Sequence, residues 1–116
     1  MLSYTTSPAY HLIEEKKDNY AAAPFSEGHY LQVEVGAQLA SSKQPQLAQQ
    51  FMQFMVSPAF QSTIPTGNWM YPVIKSDLPA GYQALPVPAN ALQYTPTEVA
   101  DHRAAWISAW QRAVSR

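Results

Sequence analysis

Cysteine is absent from the 116 residues, glycine occurs only four times, and charged residues make up 13% of the chain. Without thiols there is no disulfide framework, no thiolate nucleophile and no Cys-based zinc or iron–sulfur site. Four scattered glycines leave no phosphate-cradling loop and no G-x-S-x-G elbow. Seven Lys/Arg against eight Asp/Glu give a formal net charge of −1. No basic run marks a surface for nucleic acid or anionic membrane, so neither partner is expected. Apolar runs are short as well, and no window approaches the roughly 18 consecutive residues of a membrane-spanning helix. The opening MLSYTTSPAY has neither the basic n-region nor the apolar h-region of a signal peptide, so none is expected in this chain.

What the chain does have is apolar surface: 47% hydrophobic residues, 12% aromatics and ten prolines. A chain of this length suits one small globular unit or part of a larger one. Charged residues stand at about half their usual share of roughly 25%. Much of the surface is therefore expected to be covered by a partner or by more polypeptide.

Residues 1–6 read as the end of a strand, with Leu2, Tyr4 and Thr5 suited to a sheet and Met1 where more strand should stand. Ser7-Pro8 reads as N-cap and first position of a helix running to about Lys17 and ended by Asn19. Alternation over His29–Val35 predicts a strand, with Leu31, Val33 and Val35 on the apolar face. Ser41 or Ser42 caps a helix over about Gln44–Val56, where Leu47, Phe51, Phe54 and Met55 form the clearest core stripe. Ser57-Pro58 opens a short helix to about Ser62. Between Ile64 and Tyr94 five prolines interrupt regular structure, leaving an ordered connection rich in aromatics. Thr95-Pro96-Thr97-Glu98 is a capping box, and its helix runs to about Ser115 with Val99, Trp106, Ile107, Trp110, Ala113 and Val114 on one stripe.

Catalytic signatures are lacking. Ser, His and Asp occur with nothing to tie them into a triad, and His29 and His102 stand alone. His11 and Glu15 have the i, i+4 spacing of a shared metal, but two ligands do not make a site, and the pair reads as a solvated His beside a surface Glu. An enzyme is not expected.

Two constellations are more informative. Tyr4-Thr5-Thr6-Ser7 leads into Pro8, with Tyr10 one turn on, and such hydroxyls at a helix start suit an anionic or polar ligand group. Ordinary capping needs only Ser7, which leaves Thr5 and Thr6 as surplus. Gly67-Asn68-Trp69-Met70-Tyr71-Pro72 sets two aromatics in a braced loop, either as a lid on a core or as a stacking face for a flat or cationic ligand.

Phe51-x-x-Phe54, then Ser57-Pro58 and Gln61, then the Gly-aromatic-Pro loop, resemble the C-terminal region of periplasmic solute-binding proteins of ABC importers. LSYTTSPAYH, EEKKDNYAAAPFSEGHYLQVEV, IPTGNWMYPV and AWISAWQRAVSR are similar to the branch of that family that takes thiamine. The resemblance covers nearly all 116 residues and is weakest over Lys75–Tyr94.

It implies an α/β fold, the incomplete C-terminal portion of a two-lobed type II binding protein. Residues 1–28 would end the second-lobe segment, 29–94 would hold a crossover strand and the return to the first lobe with a ligand-cleft loop, and 95–116 would be the C-terminal helix. Tyr4, Thr5, Thr6, Ser7 and Trp69 would bind the ligand, with Tyr10 beside them. That ligand would be thiamine, thiamine monophosphate or thiamine diphosphate. No cofactor and no metal are implied. The partners implied are the transporter's permease and the missing N-terminal part, with a periplasmic location for the full-length parent. Two alternatives stay open. One is another solute such as a polyamine, a sugar or an iron complex, although Tyr4 lacks the neighbouring tyrosine of paired-Tyr iron sites. The other is a non-binding fragment that self-associates or complements its missing part.

Overall fold

A computed structural model describes residues 2–115. Met1 and Arg116, the outer ends of the expected first strand and last helix segment, lie outside them. Six helices and two very short strands follow in chain order: α1 Ser7–Ile13, β1 His29–Tyr30, α2 Pro45–Met55, α3 Pro58–Gln61, α4 Ile64–Gly67, α5 Ala80–Gln83, β2 Ala91–Leu92 and α6 Pro96–Val114.

Side-chain caps set two of the helix starts. In α3 the Ser57 hydroxyl accepts from Phe60 N–H with Pro58 next to the cap, and in α6 Thr95 and Glu98 form the reciprocal capping box. At α2 the N-cap is Gln44, not Ser41 or Ser42, and it makes no side-chain capping bond, although the Ser42 hydroxyl accepts from Gln44 N–H just ahead of it. The start of α1 differs from expectation. Thr6, not Ser7, is the N-cap and makes no side-chain capping bond, while Ser7 is already helical. Its hydroxyl pairs instead with that of Ser3. The helix also stops four residues short of Lys17. Lys16 takes φ +57° and Lys17 N–H returns to the His11 carbonyl at 2.9 Å, a left-handed closure with lysine where glycine is usual.

Strand content is much lower than the alternation suggests. No strand forms over the described part of residues 1–6. The expected strand His29–Val35 is reduced to His29–Tyr30, paired in parallel with Ala91–Leu92. A strand extends only as far as it finds a ladder partner, and past Leu31 the segment has none, so Val35 is 86% exposed. Gly28 makes the pairing possible: at φ +111° its missing Cβ would lie 2.8 Å from the Asn90 carbonyl oxygen.

The core is small. Ala9, Tyr82 and Leu85 are buried, with Ile13 and Leu78 packed against them. Gly81 lets α5 approach α1 closely, because a Cβ there would meet the Ile13 side chain at 2.9 Å. The Tyr82 hydroxyl donates to the Pro65 carbonyl at 2.6 Å, fastening α5 to α4. Gln61 fastens the next layer, donating to Met55 O at 2.7 Å and accepting from Val73 N–H at 2.8 Å. Both bonds are made by the one buried Gln61 side chain, whose amide would otherwise be left unpaired.

The stripes that read most clearly as core are not buried. No residue of α2 or α6 is buried, and Leu47 and Trp110 are 61% and 52% exposed. The accessible surface is 9429 Å², against about 6,300 Å² for a compact protein of this mass. The radius of gyration is 17.7 Å, where a compact chain of this length has about 13 Å. Periodicity correctly marked faces that seek apolar cover, but the cover is not in these residues.

In solution at micromolar concentration the chain is expected to self-associate through α2 and α6, with a sedimentation mass above 12.9 kDa. A monomer with a sharp cooperative melt would contradict this. Tyr82→Phe should lower stability by about 1–3 kcal/mol, since the Pro65 carbonyl loses its buried donor. Burial, with Tyr71 close by, pushes the Tyr82 phenol from 10.0 to about 12. The fold thus favours the neutral phenol, so its stabilisation is complete below pH 10.0 and is lost as pH rises through about 12. Melts across that range should show the difference between wild type and Tyr82→Phe shrinking.

Candidate functional site

One open cleft of about 270 Å³ lies between the start of α1 and the loop after α4. From the first side come Ser3, Tyr4, Thr6, Ser7, Tyr10 and His11, and from the second Asn68 and Trp69. Ala9, buried on α5, fixes the roll of α1 and so turns Tyr10 and His11 towards the cleft. Pro65, held by Tyr82, fixes where the chain leaves α4.

Tyr10 and Trp69 meet edge to face, ring centroids 5.1 Å apart at 86°, a favoured aromatic geometry. They form an aromatic corner. Trp69 occupies it with φ +57°, a left-handed conformation that costs an aromatic residue of order 1–3 kcal/mol and recurs at ligand clamps. Asn68 anchors the loop by donating to the Glu34 carboxylate at 2.9 Å. Around this corner lie the hydroxyls of Ser3, Tyr4, Thr6 and Ser7; Thr6 is buried and Tyr4 largely exposed.

Tyr4, Thr6, Ser7, Tyr10 and Trp69 are therefore brought together, although Trp69 is separated from the others by most of the core segment. Thr5 is not among the lining residues. Of the two neighbours Thr5 and Thr6, Thr6 is buried and lines the cleft. The cradle is also not a capped helix start, since α1 has no side-chain cap.

Ser3, His11 and Asn68 belong to the cleft but are not among the ligand-site residues expected from the sequence. Ser3 stands one turn before Ser7, and His11 and Asn68 are chain neighbours of Tyr10 and Trp69. That adjacency was the available signal. His11 Nδ1 lies 2.9 Å from Glu15 Oε2, and Lys17 Nζ lies 3.0 Å from the same oxygen. Bonds from His11 and then Lys17 hold the Glu15 carboxyl below its ordinary value. Among the described residues no group of three His, Asp or Glu side chains could hold a metal ion, and no helix is long and apolar enough to cross a membrane.

No family model matches the chain. It is 73% identical over all 116 residues to the thiamine-binding periplasmic protein of Escherichia coli (strain K12), of which it covers 36%. The protein of that name from Salmonella typhimurium is 71% identical over the same residues, again 36% of its length. The Haemophilus influenzae protein is 42% identical over 117 aligned residues, 35% of its length. A solved structure titled periplasmic thiamin binding protein superposes with TM-score 0.86 and 74% identity, covering 98% of this chain and 36% of that one. The chain spans about a third of the length of the curated relatives it matches. In sequence along the whole chain, and in fold along nearly all of it, the chain is similar to about a third of a thiamine-binding periplasmic protein.

Proposed function

We propose that this chain is part of a soluble receptor that takes thiamine, thiamine monophosphate or thiamine diphosphate into the cleft and delivers it to the permease of an ABC importer. The observation that carries this reading is the aromatic corner of Tyr10 and Trp69 surrounded by hydroxyls. Thiamine combines a flat aminopyrimidine, a permanently cationic thiazolium and a hydroxyethyl arm that bears phosphate in its esters. An aromatic face over the cation is worth about 0.5–2 kcal/mol, and hydroxyls suit the arm or its phosphate. The relatives' names support the ligand and the periplasmic location.

In this reading the parent is a two-lobed, type II binding protein that closes by hinge motion around its ligand. Residues 1–28 end the second-lobe segment, 29–94 cross to the first lobe and return with the cleft loop, and 95–116 form the C-terminal helix. Tyr4, Thr6, Ser7, Tyr10 and Trp69 contact the ligand, and no reaction is catalysed. A polyamine fits less well, because no carboxylate lines the cleft to meet its ammonium groups. The large apolar exposure of α2 and α6 favours self-association as the behaviour of the chain by itself.

Titrating thiamine into the full-length parent should change tryptophan fluorescence, and no change in any emission property would overturn the reading. Trp69→Ala should weaken binding by about 1–3 kcal/mol through loss of the stacking face. Thr5→Val, outside the lining, and Trp106→Ala, on α6, should bind as wild type. Calorimetry on the three variants checks the placement; equal losses for all of them would contradict it.

A further inference from the structure

The stretch that carries Trp69 runs between two anchors. Upstream, the Pro65 carbonyl accepts from the Tyr82 hydroxyl at 2.6 Å; downstream, Val73 N–H donates to the Gln61 side chain at 2.8 Å. Between them the backbone leaves α4 at Asn68, whose N–H donates to the Ile64 carbonyl at 2.9 Å. It turns left-handed at the next residue, Trp69, with φ +57°. Among the described residues, the one side-chain hydrogen bond made from residues 66–72 is that of Asn68 Nδ2 to Glu34 Oε2 at 2.9 Å.

That bond reaches outside the cleft. Asn68 lines it beside Trp69, whereas Glu34 is not among the lining residues. Glu34 stands 34 positions earlier, in the stretch that leaves β1 without a ladder partner. An aromatic residue keeps a left-handed backbone only where its surroundings over-determine it. Here they comprise the edge-to-face contact with Tyr10 and the residue from which Trp69 turns, Asn68, tethered through both backbone and side chain. A ring set in place before a ligand arrives spares the cost of ordering it on binding. The Asn68–Glu34 bond is charge-assisted but exposed, so water competes with it and its loss should cost several-fold, not orders of magnitude.

We infer that Glu34 is a positioning residue of the cleft: its carboxylate holds Asn68, and through Asn68 keeps Trp69 in the left-handed conformation that sets its ring against Tyr10 before ligand binds. The consequence for thiamine affinity rests on the reading above; the placing of Trp69 in the ligand-free protein does not.

The test uses the full-length parent carrying Glu34→Ala, which removes the acceptor, or Glu34→Gln, which removes the charge and keeps an acceptor oxygen. In the ligand-free protein, nuclear Overhauser cross-peaks between the Tyr10 and Trp69 rings should weaken in Glu34→Ala and return in Glu34→Gln, while those between Tyr94 and Trp106 stay constant. Thiamine affinity by calorimetry should fall about fivefold in Glu34→Ala and about twofold or less in Glu34→Gln. Adding Glu34→Ala to Asn68→Ala should cost nothing further, since both act through one bond. If Glu34 instead attracted the cationic thiazolium by charge alone, Glu34→Gln would lose what Glu34→Ala loses and the Tyr10–Trp69 cross-peaks would not change; that result would overturn the inference. Wild-type cross-peaks and affinity in Glu34→Ala would overturn it as well. A wild-type parent that binds no thiamine would overturn the thiamine reading, and the ligand-free cross-peaks would still decide the role of Glu34. Should Glu34→Ala fail to fold, Asn68→Ala breaks the same bond from the other side, and undiminished Tyr10–Trp69 cross-peaks there would overturn the inference.

Discussion

The hydrogen bond from the buried Tyr82 hydroxyl to the Pro65 carbonyl is the constraint on which the rest of the site depends. Tyr82 packs with Ala9 and Leu85, so one side chain ties α1 to α5 by apolar contact and α5 to α4 by a hydrogen bond. Whatever precedes and follows those anchors is placed by them. Tyr10 and His11 follow Ala9, and Asn68 and Trp69 follow Pro65 by one helical turn. A cleft assembled from residues some sixty positions apart thus rests on a core of a few side chains.

That economy explains why the cleft is defined while the molecule as a whole is spread out. Burial sufficient to fix α1, α4 and α5 leaves α2 and α6 with apolar stripes in solvent, yet the arrangement superposes on a much longer protein with TM-score 0.86. The chain holds the conformation of a segment within a larger fold. Its excess surface of about 3,000 Å² matches the scale of extensive permanent interfaces, not of transient contacts.

Legibility in the sequence followed the range of the interaction. Helix starts governed by neighbouring residues were readable: the Ser57-Pro58 cap and the Thr95–Glu98 box stand where their motifs put them. Elements that need a distant partner were not. The alternation over His29–Val35 is real, but only His29–Tyr30 finds Ala91–Leu92 to pair with. The stripe Leu47, Phe51, Phe54 and Met55 marks an apolar face without saying where its cover lies. In the cleft, the tyrosine–threonine–serine cluster and the Trp69 loop stood out by composition, and the family resemblance joined them. Which threonine lines the cleft was decided by the turn over residues 5 and 6, and the place of His11 by the roll of a helix. Neither is written in local spacing.

The account stands on a cleft that the Tyr82 core assembles before any ligand arrives. The most direct measurement is the set of aromatic nuclear Overhauser contacts in the ligand-free chain. Cross-peaks between the Tyr10 and Trp69 rings, 5.1 Å apart, should be present in wild type and lost in Tyr82→Ala. Those between Tyr94 and Trp106, also at 5.1 Å but remote from the core, should persist in both. Tyr10–Trp69 cross-peaks that are missing from ligand-free wild type, or that survive the Tyr82 substitution undiminished, would contradict the account.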